Sequence, residues 1–131
     1  MHYRPNWLLL AGFAFVAACG GGGGSPTQTI TGPHVVISDF AFSPNTLTIT
    51  AGQTVTWTNS GPSVHNVTSD TMGMFQSSNL AAPTNEGAYG TPGGTFTFTF
   101  NTPGTYPYHD ALYPPSMAQY SSFTGTIVVN Q

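Results

Sequence analysis

The sequence predicts an all-β body, a Greek-key β-sandwich or barrel of seven or eight short strands. Three observations carry this expectation. Apolar residues recur with period two, in T-L-T-I-T at 46–50, T-V-T-W-T at 54–58 and T-F-T-F-T-F at 95–100. No stretch sustains the 3.6-residue period of an amphipathic helix. Turn-forming residues punctuate the runs: S-P-N at 43–45, A-G-Q at 51–53, N-S-G-P at 59–62, P-G-G at 92–94 and T-P-G at 102–104.

The elements follow in order. Residues 1–18 carry Arg4, then an apolar run from Trp7 to Ala18 that ends in small residues. That run is shorter than the roughly 20 apolar residues a bilayer span needs and fits a secretion signal peptide. The sequence V-A-A-C at 16–19 resembles a bacterial lipobox, which implies lipidation of Cys19 and a mature chain beginning there. Residues 19–33 hold five consecutive glycines and S-P-T-Q-T, a flexible tether suited to holding a domain away from a membrane. Residues 34–131 form the single folded domain. Its strands are expected at V-V-I-S before Asp39, at 46–50, at 54–58, in S-V-H-N-V-T around His65, at 95–100, in G-T-Y-P-Y-H at 104–109 and in the closing T-G-T-I-V-V. Two stretches break the rhythm, 69–89 and 110–122, and irregular loops of that length in a compact domain are usually functional.

Charge narrows the function classes. Arg4 is the single Lys or Arg of the chain, so a mature protein beginning at Cys19 has no cationic side chain other than histidine. Phosphate recognition needs such side chains, so no nucleic-acid partner is expected. With one cysteine in the chain, no internal disulfide can form. No Ser lies in a G-x-S-x-G elbow and carboxylate pairs are nearly absent, so no enzyme is expected.

Several local patterns then align in order. F-A-F-S-P-N-T-L-T-I-T-A-G-Q-T-V-T-W-T-N at 40–59, His65 with Asn66 after it, F-N-T-P-G-T-Y-P-Y-H at 100–109 and F-T-G-T-I-V-V at 123–129 together resemble the plastocyanin- and amicyanin-like cupredoxins, the blue-copper fold. The resemblance covers nearly the whole body. It implies a copper-binding electron carrier with two histidines, a cysteine and an axial methionine as ligands, of which His65 would be the first.

The remaining ligands depart from that pattern. Asp110 stands where the family has its cysteine and Tyr113 where it has its second histidine. For the axial methionine, alignment on the closing strand gives Phe123, whereas counting forward from Tyr113 gives Met117. A blue centre depends on its copper–thiolate bond, and carboxylate or phenol oxygen does not replace a thiolate for Cu(I).

Two readings stay open. In one, the domain is a copper-free binding or structural module, lipid-anchored at the cell envelope and contacting another envelope protein. In the other, copper binds in an atypical site made of His65 and Asp110, for electron transfer or as a carrier. Met72, Met74 and Met117 could serve as soft Cu(I) ligands or as ordinary packing. His109 should face away from Asp110 by strand alternation, and His34 should be solvated. The frame also brings His65 and Asp110 to one point, so these two are expected to hydrogen-bond directly.

Overall fold

The computed structural model describes residues 31–85 and 89–131. Among them are eight strands: β1 His34–Ser38, β2 Ala41–Ser43, β3 Thr46–Thr50, β4 Thr54–Asn59, β5 Thr68–Ser69, β6 Thr95–Thr99, β7 Gly104–His109 and β8 Thr124–Asn130. They form two four-stranded sheets, ordered β2-β1-β4-β6 and β3-β8-β7-β5. Each sheet is mixed, with β1 parallel to β4 and β3 parallel to β8. The expected sandwich is present.

Alternation explains the two-layer packing. In β4, Val55 and Trp57 are fully buried while the threonines between them face outward, and β8 repeats the pattern with Ile127 and Val129. The inward side chains of both sheets meet in one core with Phe42, Phe75, Phe100, Tyr108 and Phe123. Each large side chain buried this way contributes about 1.5–3 kcal/mol relative to exposure. Phe75 comes from the irregular stretch after β5, and its ring packs on Phe96, Phe98 and Phe100.

The expected strand around His65 is mostly absent. Only Thr68–Ser69 pairs with β7, and His65 makes an isolated bridge to Leu80. Side chains satisfy this backbone in place of a ladder. Asn59 Nδ2 donates to the carbonyls of Ser63 (2.8 Å) and Leu80 (2.9 Å), and the Val67 N–H donates to Ser77 Oγ (2.9 Å). Segment 110–122 is irregular as expected, with one 3-10 turn at Ala118–Tyr120. His34 is half-buried rather than solvated, because its Nε2 lies 3.1 Å from Thr58 Oγ1 across the β1–β4 pair.

Candidate functional site

Three connections meet at one end of the sandwich: the β1–β2 turn, the β4–β5 loop and the β7–β8 loop. Each supplies one carboxyl or imidazole side chain. Asp39 follows β1, His65 lies in the middle loop, and Asp110 follows β7 directly.

His65 and Asp110 are both fully buried. His65 Nδ1 lies 2.8 Å from Asp110 Oδ2. The remaining lone pairs of Asp110 are also used, since Oδ2 accepts from the Asn66 N–H (3.2 Å) and Oδ1 from the Leu112 N–H (2.8 Å). Asn66 ties the same two loops again, its Oδ1 accepting from the Ala111 N–H at 2.8 Å. The pairing expected from the sequence is therefore present.

The third member, Asp39, was not in the expected set. Its Oδ1 lies 3.0 Å from His65 Nε2, and Ser63 holds the carboxylate by its N–H (3.2 Å to Oδ1) and by its Oγ (2.7 Å to Oδ2). Gly61 lets this happen. A Cβ there would stand 2.5 Å from Asp39 Oδ1 and 2.8 Å from Asp39 N, so any larger residue would push the carboxylate away. A buried imidazole has two ring nitrogens to satisfy, and that accounting is the sequence signal for a second partner. Nothing in local spacing names Asp39, because it is 26 residues from His65.

The electrostatics follow from the geometry. Both partners of the ring are carboxyl groups, and a carboxylate only accepts, so the arrangement suits a ring that donates from both nitrogens, as an imidazolium does. Burial alone would lower the pKa of His65, but the bonds to Asp110 and then Asp39 outweigh it and hold the pKa above its ordinary value. For Asp39, burial works upward and is outweighed by the Ser63 and His65 bonds, so its pKa is lowered.

Aromatic rings close the site. Phe40 has φ 63°, the left-handed region that a bulky side chain adopts only at a cost of about 1–3 kcal/mol. Its ring lies over Tyr120 (centroids 4.7 Å), Tyr113 (5.2 Å) and Phe123 (6.2 Å). Tyr113 and Phe123 each place their ring centroid 5.3 Å from that of His65. Rings packed around the imidazole keep water from it, which strengthens its hydrogen bonds to the carboxyl groups. Of the two candidates for the axial position, Phe123 is fully buried against His65, whereas Met117 is 48% exposed.

The other candidates lie elsewhere. His109 faces the opposite way from Asp110 and hydrogen-bonds Asp70 at the surface. Met72 and Met74 line different surface depressions, the first beside Asp70 and the second beside Phe98. Cys19 and the signal segment lie outside the described residues. Among the described residues no helix is long and apolar enough to cross a membrane.

A blue-copper centre does not fit these side chains. It requires a thiolate and two imidazoles, and the positions that would supply them hold His65, Asp110 and Tyr113, with a phenyl ring at 123. The in-plane direction of His65 Nδ1, along which a metal would bind, points at Asp110 Oδ2.

Comparison with known proteins agrees with this architecture. Residues 33–130 match the family model of copper binding proteins, plastocyanin/azurin family. Plastocyanin of Scenedesmus fuscus is 37% identical over 67 residues, covering 51% of this chain and 68% of that protein. The chloroplastic plastocyanin of Oryza sativa subsp. indica is 29% identical over 110 residues, covering 81% and 70%. Among solved structures, a purple cupredoxin from Nitrosopumilus maritimus superposes with TM-score 0.56 at 23% identity, over 75% of this chain and 99% of that one. A reduced Cu(I) amicyanin variant gives TM-score 0.58 at 22% identity, over 79% and 87%. These structural likenesses show the fold, and the family model extends from the first strand to the last. The chain belongs to the plastocyanin/azurin family of copper-binding proteins.

Proposed function

We propose that this protein is a cupredoxin in which a protonated histidine stands in for the metal, and that it acts as a copper-free binding or structural module of the bacterial envelope, anchored by lipid on Cys19 and contacting another envelope protein. The observation that carries the reading is the engagement of both nitrogens of His65 by carboxylates, at 2.8 and 3.0 Å. In a metal site one nitrogen must offer its lone pair. Here the charge that copper would bring is supplied by the imidazolium, and Asp110 takes the position of the thiolate as its counter-ion. Charge-assisted bonds of this kind are short and about twice as strong as neutral ones. The site then fixes the three loops, and the surface around it remains available to a partner.

Calorimetric titration of the purified protein with Cu(II), read together with its visible spectrum, tests this. The expected result is no binding that depends on His65, so wild type and His65→Ala give the same weak isotherm. Tight stoichiometric binding lost in His65→Ala would overturn the reading in favour of a copper carrier or electron-transfer protein using His65 with Asp110.

A further inference from the structure

Strand β6 ends its sheet, and we infer that its free edge pairs antiparallel with β6 of a second copy of this chain, joining two four-stranded sheets into one across a two-fold axis at Thr97.

The phase of the β4–β6 ladder is fixed at both ends. The Asn59 N–H donates to the Gly94 carbonyl (2.9 Å), and the Phe100 N–H donates to the Gln53 carbonyl (3.0 Å). In an antiparallel pair, residues that exchange hydrogen bonds alternate with residues that do not. With register Val55↔Phe98 and Trp57↔Phe96, the even-numbered residues 94, 96, 98 and 100 bond toward β4. The N–H and C=O groups of Thr95, Thr97 and Thr99 therefore point outward, and all three residues are exposed. Among the described residues none of these backbone groups has a partner outside β4.

A second β6 fits this edge better than another strand does. T-F-T-F-T reads the same in both directions about Thr97. Rotation about Thr97 places Thr95 opposite Thr99, Thr97 opposite itself and Phe96 opposite Phe98. The outward-pointing groups then face one another in each Thr–Thr pair, where both bonds are exchanged. Thr meets Thr on the outer face, and Phe meets Phe on the face toward the core, a self-complementary interface of the kind a two-fold dimer requires.

The usual protections of an edge are missing. Natural edges carry Lys, Pro, a bulge or inward charge, and β6 has none of these. The other edges differ. β2 and β5 are three and two residues long. On β3, the Thr50 N–H is already taken by Gln53 Oε1 at 2.7 Å.

Sedimentation equilibrium of the full chain in detergent, over a wide range of concentration, should give a reversible monomer–dimer equilibrium. Amide hydrogen exchange supplies the specific readout. As concentration rises, the amides of Thr95, Thr97 and Thr99 should exchange more slowly, while those of Phe96 and Phe98 stay unchanged. Thr97→Pro removes an outward N–H without touching the β4 ladder, a placement proline tolerates on edges. Thr97→Lys sets two like charges against each other on the axis. Each should weaken the dimer at least tenfold. A wild type that stays monomeric throughout, or a dimer in which those three amides gain no protection, would overturn the inference. So would folded variants that dimerise as tightly as wild type. If a variant does not fold, the wild-type exchange pattern decides alone.

Discussion

His65 Nδ1 meets Asp110 Oδ2 at 2.8 Å with both residues fully buried, while the opposite edge of the same ring meets the partly exposed carboxylate of Asp39 at 3.0 Å. The cluster joins one imidazole to two carboxyl groups, and each of its residues belongs to a different loop. Taking charges out of water costs several kcal/mol per ion, so the cluster is weak evidence of net stability. It is stronger evidence of specificity, because one ring sets the relative positions of three connections.

Removing one partner should cost more than removing the pair. Asp110→Ala leaves an imidazolium without its buried counter-ion and should lower stability by about 3–5 kcal/mol. Asp39→Ala should cost less, about 1–3 kcal/mol, because water can reach that side of the ring. The double change His65→Phe with Asp110→Leu should be less damaging than Asp110→Ala alone. Urea denaturation midpoints at neutral pH check the order, and equal losses in all three would contradict it.

Stability should depend on pH from both sides. The folded pKa of His65 is raised, so its contribution is complete below the ordinary histidine value of 6.5 and is lost as pH rises through the folded pKa. The folded pKa of Asp39 is lowered, so its contribution is complete above the ordinary aspartate value of 3.8 and is lost as pH falls through the folded pKa. A plateau is expected between these limits, falling on both sides. Thermal melts across pH measure it, and His65→Phe should remove the alkaline fall while leaving the acid fall reduced.

Colour should be recoverable by restoring donors. Wild type with added copper should lack the intense visible band of a copper–thiolate bond. Asp110→Cys supplies the thiolate and releases His65 Nδ1, but Tyr113 still fills the second imidazole's place. Asp110→Cys with Tyr113→His should regain part of the band, read by absorption on Cu(II) addition. A blue wild type would show that the ligand positions are assigned wrongly.

The anchor is testable by mass. Protein extracted from membranes of the producing cells should begin at an acylated Cys19, with residues 1–18 removed. Intact-mass spectrometry distinguishes this from a soluble chain bearing a free thiol.

Deep in the core, Trp57 Nε1 and Tyr108 Oη are buried without a well-formed hydrogen bond among the described residues, each being the other's polar neighbour, and the two rings pack edge to face with centroids 5.6 Å apart. Tyr108→Phe should therefore change stability by no more than about 1 kcal/mol, since the hydroxyl leaves without a well-formed bond. Gly125→Ala should destabilise, since the new Cβ would lie 2.3 Å from Tyr108 Oη and 2.2 Å from its Cζ. The Tyr108→Phe background should relieve little of that loss, because the ring carbon remains. Calorimetric melting of the three variants reads both effects.

Strands β3, β4, β6, β7 and β8 were legible in the sequence because alternation is local: each side chain's face is set by its neighbours two residues away. The turns were legible for the same reason, as at Gly52, whose φ of 91° suits glycine. His65 and Asp110 were legible through the order of motifs shared with the cupredoxins. The strand wrongly expected around His65 shows the limit of alternation, since Asn59, Ser77 and Asp110 took the backbone groups a ladder would have used. Only the tertiary structure decided that Asp39 completes the cluster, that Phe40 turns its ring over it, and that Phe123 rather than Met117 lies against the imidazole. These contacts join residues from separate loops, and sheet register rather than sequence spacing sets the distances between them.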